Sequence, residues 1–105
     1  MRTLALDQAS RITGWAVFDN GELYNYGKFT ATQTDVGDRL HFIRKEVLGL
    51  IDKFDIEEVV FEDIQLQNNV VNNVATFKAL AEVFGVLHEL FVDLKMPRTA
   101  VLSTV

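Results

Sequence analysis

The sequence predicts an α/β fold, a mixed five-stranded sheet in the order βββαβαβ with helices packed on it. Two apolar runs joined by Asn20-Gly21 indicate a β-hairpin at the start of the chain. Two longer stretches, one from Val36 and one between Val70 and Leu94, repeat apolar residues at helical spacing. Of the 105 residues, 49% are hydrophobic, which is enough for one core. We therefore expect one domain over residues 1–105.

The first half of the chain supplies three strands, a helix and a fourth strand. Apolar runs at 2–7, 13–19 and 22–29 predict the strands, and Asp35 is a candidate N-cap for a helix of about five turns. Residues 57–62 predict a short buried strand because their apolar centre is β-branched and aromatic. A crossover through the helix must return this strand to the same sheet.

The second half begins with a polar loop at residues 65–73, and the second helix is expected to run to about Leu94. Pro97, the one proline of the chain, follows that helix. Residues 99–103 predict a fifth strand.

Composition limits the classes of function. The chain has no cysteine, so thiolate metal sites and disulfides are excluded, and this composition is compatible with a reducing cytoplasm. No stretch approaches the roughly 20 apolar residues that span a bilayer. The net charge of −5 argues against nucleic-acid binding by bulk electrostatics, which needs clustered lysine and arginine. A DNA partner would have to be bound by a local patch.

Two acids end predicted strands. Asp7 closes the first strand and Glu62 closes the fourth, the positions where an α/β sheet presents side chains at its carboxyl edge. If the two strands are parallel neighbours, the carboxylates face each other and repel unless a cation lies between them. Oxygen ligands of this kind suit Mg²⁺ or Mn²⁺, although Glu62 could also simply end its strand at the surface.

Two motifs of the chain each end an apolar strand with an acid. The segment from Leu4 to Val17 reads LALDQASRITGWAV, and residues 59–62 read VVFE. The first resembles the opening motif of RuvC-type Holliday-junction resolvases, a ribonuclease H-like family: an apolar strand ending in Asp, then Gly-Ser-x-x-Thr-Gly and a second apolar strand. The second resembles the second acidic motif of that family. Gln8 and Ala9 depart from the usual Pro and Gly. The long polar loop after Glu62 is similar to that of the phage-borne branch.

The resemblance implies a metal-dependent endonuclease that resolves Holliday junctions or other branched DNA. It makes Asp7 and Glu62 the catalytic metal ligands, with Mg²⁺ or Mn²⁺ as cofactor and two ions in the complete enzyme. The family takes its remaining acids from a final helix beyond the last strand. We therefore expect this chain to be a nuclease core without that helix, and weak or inactive alone.

Several residues are candidates for contact with DNA. The resemblance places Ser10 and Thr13 in the turn beside Asp7, and Arg11 lies in the same turn, where a scissile phosphate is expected. Asn68 and Asn69 could bind a phosphate or a base through their amides, but asparagine is also common in loops for conformational reasons. Asp63 points to the opposite face of an ideal strand from Glu62, which argues against a role as a ligand.

The apolar surface of the second helix indicates that another protein surface packs against it. Its apolar residues cover roughly 240° of the helix surface, more than one sheet face can bury. Apolar residues spaced alternately three and four positions apart form a seam along one side of the helix: Phe77, Leu80, Phe84, Leu87, Phe91 and Leu94. We expect Phe84 to be an outward residue of that seam. RuvC resolvases are two-fold dimers, so the resemblance favours a homodimer through the long helix Val70 to Leu94. The alternatives are that the first helix covers the whole surface or that a missing C-terminal segment covers the excess.

Two other functions remain open. The pattern Asp-x-x-Ser-x-x-Thr-Gly also resembles the first phosphate loop of actin-like ATPases and sugar kinases, but that function needs a second loop and a second domain. The chain could also be a non-catalytic, dimerising module that associates with DNA.

Overall fold

The computed structural model describes residues 1–64 and 74–102. The described residues form five strands and two helices: β1 (Arg2–Asp7), β2 (Ile12–Asp19), β3 (Glu22–Thr30), α1 (Val36–Lys53), β4 (Glu58–Asp63), α2 (Val74–Asp93) and β5 (Arg98–Leu102). The sheet order is β3-β2-β1-β4-β5. β1, β4 and β5 are parallel, and β2 is antiparallel to both of its neighbours. The predicted mixed five-stranded α/β fold is confirmed.

The turn between β2 and β3 has the conformation that its sequence predicts. Asn20 and Gly21 both have positive φ, 52° and 85°, as a two-residue type I′ hairpin requires. The amino terminus is fixed at this turn, because the Met1 ammonium donates to Asn20 Oδ1 and the Asn20 amide donates to the Met1 carbonyl at 3.0 Å. The hairpin and the start of β1 therefore form one end of the molecule.

Parallel pairing of β1 with β4 sets the centre of the sheet. The pairs run from Thr3 with Glu58 to Leu6 with Phe61. Leu4 and Leu6 are buried on the same face as Val59 and Phe61. This face forms the floor of the hydrophobic core.

Both helices cover that face. The N-cap Asp35 accepts a hydrogen bond from the Asp38 amide at 2.9 Å and starts α1, as the sequence predicts. The residues that the two helices bury join one cluster with the sheet: Ile43, Val47 and Ile51 from α1, and Val83, Leu87, Leu90 and Phe91 from α2. Arg44 links the helices through Glu89 and Asp93, at 3.7 and 3.2 Å. Neither helix is long and apolar enough to cross a membrane within the described residues.

The position of Phe84 corrects the expected seam on the long helix. Its ring stacks on Phe61 with centroids 5.3 Å apart and packs against the core. Phe84 is therefore not an outward residue, because its aromatic side chain reaches from the edge of the buried stripe to β4.

The opposite face of the sheet is left open by the described elements. Ala5, Gly14, Ala16 and Phe18 line a broad concavity there of about 400 Å³, and Asp7 lies at its border. Three of these four residues are alanine or glycine, so little side-chain volume fills this part of the face.

We predict that Gly27→Ala destabilises the protein by about 1–3 kcal/mol, because a Cβ at Gly27 would lie 2.7 Å from Cζ2 of the Trp15 indole. The indole is packed against Phe54, with centroids 5.7 Å apart, and cannot move without disturbing that contact. Gly49→Ala is the control, since a Cβ there meets nothing within 4 Å and should stabilise α1 by up to about 1 kcal/mol. Urea unfolding of both variants measures the difference, and equal midpoints would contradict it.

Candidate functional site

Asp7 and Glu62 lie side by side at the carboxyl edge of the sheet. The β1–β4 register ends with Leu6 beside Phe61, and one further step places Asp7 beside Glu62. Successive side chains of a strand alternate between faces, so both carboxyl groups point to the open face, away from the core. Asp7 is exposed and Glu62 is half-buried. The condition that the sequence analysis set, parallel pairing of the two strands, is met, and β4 extends one residue further than expected, to Asp63.

The proximity of the two acids changes the acidity of Glu62. The pKa of Glu62 is raised above its usual value of 4.5, first by burial, then by the charge of Asp7 and by a hydrogen bond with the Asp7 side chain. Two carboxylates this close repel each other. A divalent ion would remove the repulsion.

The oxygen donors of this pair fit Mg²⁺ or Mn²⁺, which prefer carboxylate and water ligands. No cluster of three or more metal-binding side chains occurs within residues 1–64 and 74–102. Asp63 adds no third ligand, because its Oδ1 accepts from the Ile64 amide at 2.7 Å and its side chain belongs to the other face. An ion here would complete its shell with water or substrate phosphate.

Gln8, which follows Asp7, is a part of the site that the sequence did not reveal. Its side chain is buried, with 6% exposure. Its Nε2 donates to the Glu62 carbonyl at 2.6 Å, and its Oε1 accepts from the Glu62 amide at 3.1 Å. One side-chain amide thus holds both polar groups of the Glu62 backbone.

The turn after Asp7 is fixed to the segment before α1. The Ala31 amide donates to the Arg11 carbonyl at 2.7 Å. The guanidinium groups of Arg11 and Arg39 both donate to the Gln33 carbonyl, at 2.8 and 3.2 Å. Arg11 is exposed, whereas Arg39 is buried inside the first turns of α1. Arg39 has no signal in the sequence, where it resembles any charge on a helix face.

The remaining residues that the sequence analysis proposed for DNA contact differ in their exposure to solvent. Ser10 is half-buried in the turn. Thr13 is completely buried, and its hydroxyl has no hydrogen-bond partner among the described residues. Asn68 and Asn69 lie outside the described residues.

RuvC proteins are similar to this chain in fold and in sequence. The Thermus thermophilus RuvC structure in complex with a Holliday junction substrate superposes with a TM-score of 0.78 at 16% identity, over 97% of this chain and 64% of that one. A second structure of Thermus thermophilus RuvC gives a TM-score of 0.72 at 17% identity, with the same coverage. The crossover junction endodeoxyribonuclease RuvC of Finegoldia magna is 30% identical over 84 residues, 75% of this chain and 51% of the relative. No protein-family model matches the chain.

The chain has a ribonuclease H-like fold with two acids paired at the carboxyl edge of its central strands. Within that class it is related to the RuvC-type resolvases, and the resemblance seen in its two acidic motifs is confirmed. The chain spans about half the length of the curated relative that it matches.

We predict that Glu62→Gln stabilises the metal-free protein at pH 7. Between pH 4.5 and the raised pKa of Glu62, the folded protein binds more protons than the unfolded chain, so the free energy of unfolding falls as pH rises through that window. Removing the charge should raise the free energy of unfolding by at most about 1 kcal/mol, which corresponds to a few degrees in Tm. Thermal unfolding at pH 4 to 8 measures this effect.

The matched control is Asp63→Asn, which leaves the acid pair intact. Mg²⁺ should stabilise wild type and Asp63→Asn but not Glu62→Gln. A Glu62→Gln protein that is less stable than wild type at pH 7 without metal would contradict the repulsion between the two acids.

Proposed function

We propose that this chain is the core of a metal-dependent, structure-selective endodeoxyribonuclease of the cytoplasm that resolves Holliday junctions or other branched DNA. The observation that carries this proposal is that Asp7 and Glu62 lie side by side, one step beyond the last β1–β4 pair, with both carboxyl groups on the open sheet face. The relatives support the choice of substrate, since one is named a crossover junction endodeoxyribonuclease and another is a RuvC bound to a Holliday junction.

The two acids would hold Mg²⁺ or Mn²⁺. Such ions would activate a water and stabilise the leaving oxygen of a phosphodiester, and the complete enzyme would use two of them. Asp7 is exposed at the edge of the concavity, so its carboxylate could bind a metal ion that the DNA backbone also contacts. Glu62 is the more buried acid, and its backbone is fixed by Gln8, so it provides the rigid side of the site.

The turn after Asp7 would contact the DNA backbone. Arg11 uses one nitrogen for the Gln33 carbonyl, and the rest of its exposed guanidinium is available to a phosphate. Ser10 lies beside it, whereas the buried Thr13 can contribute only by shaping the turn. Asn68 and Asn69 would contact DNA from the segment after β4. Local contacts of this kind suit a chain with a net charge of −5.

A homodimer through the long helix would present two such sites to one junction. α1 lies along one flank of α2, where Arg44 contacts Glu89 and Asp93. At about 100° per residue, the other flank carries Phe77, Ala81, His88 and Val92. Of these residues, Val92 is 53% exposed and the others are half-buried. We propose that a second copy packs against this flank.

We predict that the purified chain nicks a labelled four-way junction slowly in Mg²⁺ or Mn²⁺, and that a version extended at its C-terminus is faster. Two carboxylates alone cannot position both the attacking water and the leaving oxygen. Asp7→Asn should lower either rate at least about 100-fold, whereas Asp63→Asn should stay within about threefold of wild type. Equal rates for the two lengths, or cleavage by Asp7→Asn, would show that the active site lies elsewhere.

We predict that the chain sediments as a dimer at micromolar concentration and that Val92→Glu gives a monomer. A charge buried at the flank without a partner opposes association. Val36→Glu is the control, because Val36 is also an exposed valine but lies at the start of α1. Analytical ultracentrifugation of the three proteins tests the interface, and a wild-type chain that stays monomeric at high concentration would overturn it.

A further inference from the structure

The amide of Gln8 is the unusual group of this site. Glutamine is mostly exposed in proteins, yet this side chain is 6% exposed and makes two hydrogen bonds to one residue, 54 positions away in the sequence. Both partners belong to the backbone of Glu62, so the contact does not depend on the ionisation of any carboxyl group.

The end of β1 explains why this contact exists. The last β1–β4 pair is Leu6 with Phe61, and β1 ends one residue later, where the chain turns toward β2. A parallel strand would normally continue to hydrogen-bond its neighbour through peptide groups. A glutamine side chain carries the same donor and acceptor as a peptide group. Gln8 therefore adds one rung to the ladder after the backbone of β1 has left the sheet.

These two hydrogen bonds hold Glu62, one of the two acids of the site. Strand ends open locally more easily than strand centres, and Glu62 is the penultimate residue of β4. We propose that Gln8 is the positioning residue of the site: its amide holds the Glu62 backbone in register, so that the Glu62 carboxylate stays beside Asp7. The consequence for metal binding rests on the proposed function, whereas the consequence for the strand does not.

Other side chains cannot replace this amide. Methionine has a similar length but offers neither an N–H donor nor a carbonyl acceptor. Glutamate would lack the donor for the Glu62 carbonyl and would add a third negative charge beside the pair. Asparagine keeps the amide but is one methylene shorter. Gln8→Met is therefore the cleanest variant, because it removes both hydrogen bonds with little change in volume.

The test compares Gln8→Met with Gln33→Met. Gln33 is also partly shielded from solvent, and the oxygen of its side-chain amide has no hydrogen-bond partner among the described residues, so the control makes the same chemical change without removing a contact to Glu62. NMR-detected hydrogen exchange follows the Glu62 amide and, as internal references, the amides of Leu4 and Val59. A titration of the same samples with Mn²⁺ and Mg²⁺ measures metal affinity.

We expect Gln8→Met to accelerate exchange of the Glu62 amide at least tenfold more than exchange of the reference amides. Metal affinity should fall about tenfold, the usual effect of losing a group that orients a metal ligand. Gln33→Met should match wild type in both measurements. Unchanged protection of Glu62, uniform acceleration of all amides, or an unchanged metal affinity in Gln8→Met would overturn the inference.

A failure of the proposed function would look different. If wild type shows no metal-dependent change, the metal site is overturned and the exchange measurement decides the role of Gln8 alone. Selective release of the Glu62 amide would then still support positioning by Gln8, and its absence would refute it.

Discussion

The parallel pairing of β1 with β4 is the constraint on which the rest of the structure depends. Leu4 and Leu6 must share the buried face with Val59 and Phe61, and this requirement fixes the register. A shift of β4 by one residue would turn its acid into the core and its phenylalanine toward solvent. The hydrophobic core therefore places the two carboxylates together, although neither of them belongs to it.

The sequence predicted the elements and the acid pair but not the groups that fix them. Periodicity and turn chemistry are local, so the hairpin at Asn20-Gly21, the cap at Asp35 and all seven elements could be read from short windows. Gln8 acts on a strand that begins 50 positions later, and no local pattern encodes that reach. Arg39 likewise lies in a helical repeat where a charge is expected in solvent. The Phe84 error has the same origin, because a helical wheel ignores how far an aromatic ring extends.

The site shows a conflict between stability and chemistry. Two carboxyl groups on neighbouring strands repel, and the partial burial of Glu62 increases the cost of its charge. A pair of ordinary polar residues would serve the fold better. Natural proteins keep such arrangements where function needs them and compensate elsewhere. The strand that carries Glu62 also carries Phe61, whose ring packs against Phe84 and Phe91 on the buried face and holds the strand to the second helix.

The contact of the amino terminus with the hairpin turn has a practical consequence. Met1 is held at the end of β1 that is farthest from Asp7, and six residues of extended chain separate the two ends by about 20 Å. A fluorophore or an affinity handle attached to the amino terminus would therefore sit beyond the far edge of the sheet. Such a label could anchor the protein to a surface and leave the acidic edge facing solution.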